Sequence, residues 1–180
     1  MKYISILRGI NVSGQKIIKM ADLKALYEAI GFERVTTYIQ SGNVIFDSNG
    51  ANKADLEKAI EIAIKEKYSF HVPVAIRTHK EFNVIVDNCP YKEADAEENG
   101  TKVLVTFLHS TPEKHKQKLL LEYVKHPERL VIHDSEVYLY CQNGYGKSKL
   151  TNTFIESKLG MSATTRNWKS VKTLNELSNH

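Results

Sequence analysis

The order of elements in the sequence predicts an α+β protein made of two ferredoxin-like (βαββαβ) halves with antiparallel sheets and a C-terminal helix. Three observations carry this expectation. Residues 1–78 read as strand, helix, strand, strand, helix, strand, because short β-rich runs alternate with stretches of helical periodicity. Residues 101–180 repeat that order. A short echo, Arg77-Thr78-His79-Lys80 and Arg166-Asn167-Trp168-Lys169, follows a strand and opens a helix each time. The expected organisation is an N-terminal half at 1–78, a helix with an acidic connector at 79–100, and a C-terminal half at 101–180.

Each element has a local reason. Tyr3 to Leu7 is a β-rich apolar run that Arg8-Gly9 stops, and a long polar loop continues through Lys19. Met20, Leu23, Leu26, Tyr27 and Ile30 recur at three- and four-residue steps, the inward stripe of a helix ended by Gly31. Val35 to Ile39 and Val44 to Phe46 are strands, with Ser41-Gly42 as a two-residue hairpin turn between them. Asn49-Gly50 marks another turn. Leu56, Ile60, Ala63 and Ile64 outline a second helix, and Val72 to Ile76 a strand that Pro73 places at a sheet edge. Thr78 caps a helix to about Val86, and Asp87-Asn88-Cys89-Pro90 ends it. Tyr91 to Gly100, carrying Glu93, Asp95, Glu97 and Glu98, reads as a solvated connector. Then follow a strand at Lys102 to Leu108, a helix at Pro112 to Val124 and a hairpin around Asp134-Ser135. A helix at Leu150 to Leu159, a strand at Ala163 to Thr165 and a closing helix at Trp168 to Leu177, capped by Asn167, complete the chain.

Composition narrows the function classes. With 180 residues, 42% hydrophobic and 26% charged, the chain has the make-up of a soluble globular protein that buries a core without staples. Cys89 and Cys141 are the only cysteines, too few for a disulfide framework or a thiol-rich metal site. The first apolar run meets Arg8 too soon for a signal sequence or membrane span, so a cytoplasmic location is expected. A net charge of +4 permits anionic ligands without demanding them. The seven histidines, His71, His79, His109, His115, His126, His133 and His180, show no close pair at metal-ligand spacing. No metal and no cofactor are expected.

Four stretches stand out: Leu7 to Val12, Tyr38 to Val44, Gly144 to Leu150 and Ala163 to Trp168. On these the chain resembles the domain-of-unknown-function family 1697, the first two stretches together being the more specific. The resemblance implies a bacterial-type, cytosolic α+β protein with ferredoxin-like halves, and it brings no substrate, cofactor or catalytic residue. Lys147 stands where arginine is expected in the family, which keeps the charge and loses the planar fork.

The candidate site is drawn from the first two stretches. In the predicted topology the first and second strands run the same way, so the loop after Leu7 and the hairpin at Ser41-Gly42 leave the same sheet edge. Arg8, Gly9, Asn11, Gln40, Ser41, Gly42 and Asn43 then combine a fixed cation, amide groups and glycine-permitted backbone. That set suits a phosphate or carboxylate held by guanidinium and N–H groups, nucleotides included. The competing reading is that Asn11, Gln40 and Asn43 satisfy turn backbone while Arg8 pairs with a carboxylate. An enzymatic alternative uses Ser41 or His71 on a phosphorylated substrate in the same pocket.

A secondary anion-binding candidate comprises Gly144, Gly146, Lys147, Ser148, Arg166 and Asn167. Gly144-Tyr145-Gly146-Lys147-Ser148 has the setting of a P-loop but lacks its spacing, since the required first glycine is Cys141. An RNA-binding or protein-interaction module is a further alternative. Tyr3 and Phe46 are either stacking residues on an open sheet face or core between sheets packed face to face, and the core reading is preferred.

Overall fold

The computed structural model describes residues 1–49 and 52–179, so the turn at Asn49-Gly50 and the terminal His180 fall partly or wholly outside it, as does the side chain of Glu97. Two compact units emerge. One comprises Met1–Val84 with Leu174–His180, the other Ile85–Thr173. This differs from the expected division, in which residues 79–100 stood apart and the last helix belonged wholly to the second half. Hydrogen bonds explain the assignment: His79 Nδ1 lies 2.8 Å from Ser178 Oγ in the first unit, and in the second Tyr138 donates to the Ile85 carbonyl at 2.8 Å.

The first unit contains β1 (Lys2–Leu7), α1 (Met20–Ala29), β2 (Glu33–Tyr38), β3 (Asn43–Asp47), α2 (Lys53–Tyr68), β4 (Val74–Thr78) and the start of α3 (His79–Asp87). Its antiparallel sheet has the order β2-β3-β1-β4, the ferredoxin-like arrangement. Leu23, Leu26 and Tyr27 of α1 and Leu56, Ile60 and Ile64 of α2 pack on the sheet face formed by Tyr3, Leu7, Val44, Phe46, Val74 and Ile76. Tyr3 and Phe46 are therefore core, but under the helices of their own unit. The expectation that they pack between facing sheets is corrected: Phe46 stacks on Phe32 at 4.5 Å and meets the edge of Tyr27 at 5.4 Å. Rings held this way offer no base-stacking platform.

The second unit repeats the plan with β5 (Val103–Leu108), α4 (Lys114–Leu121), β6 (Arg129–His133), β7 (Glu136–Tyr140), α5 (Asn152–Leu159), β8 (Ala163–Asn167) and α6 (Trp168–Ser178), whose last residues belong to the first unit. Its sheet order, β6-β7-β5-β8, is the same. The connector at 91–100 is less solvated than its charge implied. It forms 3-10 turns at Lys92–Asp95 and Glu97–Asn99, buries Tyr91 and Ala94, and pairs Glu93 with Arg129 and Asp95 with Lys172.

Boundaries moved where backbone groups had other partners. β2 ends at Tyr38 because Ile39 turns into the left-handed region, φ 49°. β4 starts at Val74 because Pro73 has no N–H and gives its carbonyl to the Arg8 N–H at 2.9 Å. α5 starts at Asn152, Thr151 Oγ1 accepting from the Phe154 N–H at 3.3 Å.

The edge of β4 is closed by side chains. Glu61 accepts from the Val74 N–H at 2.9 Å, Glu57 from Ile76 at 2.8 Å and Glu81 from Thr78 at 2.8 Å, so the outward donors of this edge strand are satisfied. Thr78 Oγ1 in turn accepts from the Glu81 N–H at 3.2 Å, which completes a reciprocal cap on α3. Burial works against the charge on Glu81, but the hydrogen bond from Lys53 and those from the Thr78 backbone and hydroxyl outweigh it and hold its carboxyl below the ordinary value. A carboxylate depressed on folding stabilises above its unfolded pKa, and that contribution disappears as pH falls through the folded one. Glu81→Gln should therefore lower stability at pH 7 in urea unfolding, and the difference from wild type should shrink as pH falls through the folded carboxyl's pKa. Thr78→Ala should lose about 1 kcal/mol at pH 7 and less at low pH, because its hydroxyl both caps α3 and donates to the Glu81 carboxylate.

Candidate functional site

β1 and β2 both pair antiparallel with β3, so their C-terminal ends emerge together, and β4 begins beside them. The junction is built from backbone first. The Leu7 N–H donates to the Gly42 carbonyl at 2.8 Å, and the Arg8 N–H to Pro73. The hairpin turn is a four-residue loop, Ile39 to Gly42, in place of the two-residue Ser41-Gly42 turn expected. Tyr38 pairs with Asn43, and the Gly42 N–H reaches the Ile39 carbonyl at 3.4 Å. Gly42, with φ 82°, fits because a Cβ there would lie 2.6 Å from Ile10 Cδ1 and 2.9 Å from Leu7 Cβ.

Asn11 is the hub of this edge. Its Nδ2 donates to the Ile18 carbonyl at 2.9 Å and to the Gln40 carbonyl at 2.8 Å, while its Oδ1 accepts from the Ile18 N–H at 2.8 Å. One side chain closes the loop after β1 and fastens it to the hairpin. Asn43, fully buried, donates to the Tyr38 carbonyl at 3.0 Å and to Ser41 Oγ at 3.1 Å. The sequence therefore placed the two stretches together correctly, but Asn11 and Asn43 serve the loops themselves. Arg8 and Gly9 are half-buried at the base, Gln40 is exposed at the hairpin tip, and Ser41 is half-buried beside it.

The backbone here is unusual. Asn11, Ser13, Lys16 and Ile39 have φ of 55°, 50°, 47° and 49°. Left-handed geometry costs a residue with a Cβ roughly 1–2 kcal/mol, and the β-branched Ile39 is the least suited of the four. Lys16 also donates to the His71 carbonyl at 2.7 Å, which ties the loop to the approach to β4. His71 does reach this edge, yet its Nε2 sits 3.1 Å from Glu61 Oε2. Its imidazole serves the carboxylate that also holds Val74. Burial raises both thiols, Cys141 to about 11, so neither supplies a thiolate nucleophile at neutral pH.

The secondary cluster lies in the second unit, at the end of the sheet where β5 begins. Several of its donors are occupied. The Gly144, Lys147 and Ser148 N–H groups bond to the Cys141, Gly144 and Tyr145 carbonyls, and Ser148 Oγ accepts from Leu150 at 3.0 Å. Arg166 is buried, donates to the Thr165 carbonyl at 2.9 Å, and has its pKa pulled down by burial to about 9, which leaves it charged at neutral pH. Asn167 caps α6 through the Ser170 N–H at 2.8 Å. Residues 148–151 separate the glycine turn from α5, so the turn does not open directly onto a helix N-terminus.

Sequence reasoning missed the edge-closing role of Glu57 and Glu61 on α2 and the strain at Ile39. Glu57 and Glu61 carried a faint signal, an i,i+4 pair bordering the buried Leu56 and Ile60. Nothing local in the sequence marked Ile39.

These halves and this edge define an α+β protein of two ferredoxin-like repeats, with one elaborated loop junction in the first. The chain belongs to the family described as protein of unknown function, DUF1697, whose model matches residues 1–138. The match covers the first two motif stretches and ends before Gly144. Among solved structures it is similar to a conserved bacterial protein from Streptococcus pneumoniae, with a TM-score of 0.78, 22% identity and 98% of each chain covered. No curated protein matches significantly.

The packing at Gly42 makes a direct test. Gly42→Ala should destabilise by about 3 kcal/mol or more, through backbone strain plus overpacking against Ile10 and Leu7. Gly9→Ala, where a Cβ meets nothing within 4 Å, should lose only about 1–2 kcal/mol of strain. Chemical denaturation of the two variants measures the difference.

Proposed function

We propose that this protein is a cytoplasmic binding protein for a small anionic ligand bearing a phosphate or carboxylate, nucleotides included, held at the sheet end where Arg8 emerges. The observation that carries this reading is the Asn11 side chain, which locks the loop after β1 and the hairpin at 39–42 to each other beside that arginine. Preorganised loops let a guanidinium and neighbouring backbone groups meet an anion without a further ordering cost. Arg8, Gly9, Gln40 and Ser41 are the ligand-facing set. Asn11, Gly42 and Asn43 position them. Two cysteines without a disulfide agree with a reducing compartment, and among the described residues no helix is long and apolar enough to cross a membrane.

Binding is favoured over catalysis because the proton-transfer candidates face other work. His71 is engaged with Glu61, and Ser41 Oγ accepts from Asn43. A thermal-shift screen of inorganic phosphate, phosphorylated metabolites, nucleotides and carboxylates tests the reading. A true ligand at one hundred times its Kd should stabilise by about 2.7 kcal/mol. Arg8→Ala should abolish that shift. A screen without any shift, or a shift that survives Arg8→Ala, overturns the proposal.

A further inference from the structure

The loop after β1 carries more apolar surface than its folding uses. Ile10 and Ile18, each 1% exposed, anchor its two arms in the core of the first unit. Their near neighbours go outward: Val12 and Ile17 are each 56% exposed, and Ile39 on the hairpin is 46% exposed. These three residues lie on backbone segments that the Asn11 side chain joins. Val12 follows Asn11, Ile17 precedes Ile18, and Ile39 precedes Gln40, and the Asn11 side chain bonds to both Ile18 and Gln40. Ile39 further holds a β-branched side chain in a left-handed backbone at an exposed turn, where glycine or asparagine would fit without strain. The loop and the hairpin themselves carry charge of one sign, and Glu61, the carboxylate beside them, is taken by His71 Nε2 and the Val74 N–H. Residues 8–21 contain Arg8, Lys16 and Lys19 with no carboxylate, and residues 39–42 are uncharged.

A cationic base with an aliphatic rim matches one ligand chemistry, and we propose that the site takes an amphiphilic anion, a phosphate or carboxylate on a short aliphatic body. The inference rests on the anion-binding reading above and adds the body to the head group. A purely polar anion would use Arg8 and leave Val12, Ile17 and Ile39 in water. An alkyl phosphate, the simplest member of the class, covers them and removes apolar area from solvent on both partners.

Calorimetric titration of the full chain at fixed ionic strength with inorganic, methyl, butyl and hexyl phosphate, all below aggregation, separates the two readings. Kd should tighten about fourfold for each methylene that reaches the rim. A Val12→Ser, Ile17→Ser, Ile39→Ser variant should keep inorganic phosphate binding and lose the chain-length gain. Ile39→Gly, which relieves the left-handed strain and so folds at least as well, should show a shallower gain. Equal Kd across the series overturns the amphiphile and leaves the anion reading standing. Absence of binding by every member overturns the amphiphilic phosphate, and together with a thermal-shift screen without any shift it overturns the anion reading as well. A gain that persists undiminished in the triple variant and in Ile39→Gly places the aliphatic body elsewhere and overturns the inference.

Discussion

The close approach of the hairpin to the stretch from Leu7 to Ile10 at Gly42 is the constraint on which the first unit's loop junction depends. Only a residue without a Cβ admits Ile10 and Leu7 at this distance, and only with that approach can Gly42 accept the Leu7 N–H. The hairpin is thereby seated on the end of β1. Asn11 then spans the remaining gap, satisfying two carbonyls and one N–H that would otherwise face a crowded, partly dry loop base. The form of this junction is a consequence of that packing and hydrogen bonding, not of Arg8, Gly9, Gln40 and Ser41.

The two units show what is common plan and what is elaboration. In both, the last residue of the first strand donates to the hairpin residue before the third strand, Leu7 to Gly42 and Leu108 to Ser135 at 2.9 Å. A carboxylate on the second helix closes the edge strand in both, Glu61 at Val74 and Glu156 at Ala163 at 3.0 Å. Both carry a buried arginine, Arg77 or Arg166, that donates to the preceding residue's carbonyl at 2.9 Å, followed by a capping residue, Thr78 or Asn167. The short sequence echo is thus a structural repeat. The hairpins differ: Asp134-Ser135 is a two-residue turn with Asp134 at φ 51°, whereas Ile39 to Gly42 has four residues. The additional length, with the long loop before α1, is what gives the first unit a loop junction that the second does not copy.

Side-chain chemistry alone misleads where a polar residue has two uses. Asn11 and Asn43 looked like ligand contacts because amides recognise ligands and turns alike. The coordinates assign them to backbone. Glu93 and Asp95 looked like a solvated run, yet they pair with Arg129 and Lys172, partners 36 and 77 residues away. Partners at such separations leave no local trace in composition or spacing.

By itself the sequence determined the order of strands and helices, the antiparallel plan, the meeting of the loop after Leu7 with the hairpin before Asn43, and the repeat. Hydrophobic periodicity and turn chemistry act over a few residues, and chain direction then follows from the order of elements. Tertiary structure alone decided which face Tyr3 and Phe46 line, which polar groups are consumed at the Arg8 edge, and that Val12, Ile17 and Ile39 remain outside while Ile10 and Ile18 go in. Those outcomes depend on distances between segments far apart in the chain, and an aliphatic side chain carries no local mark of whether its neighbour is core or water.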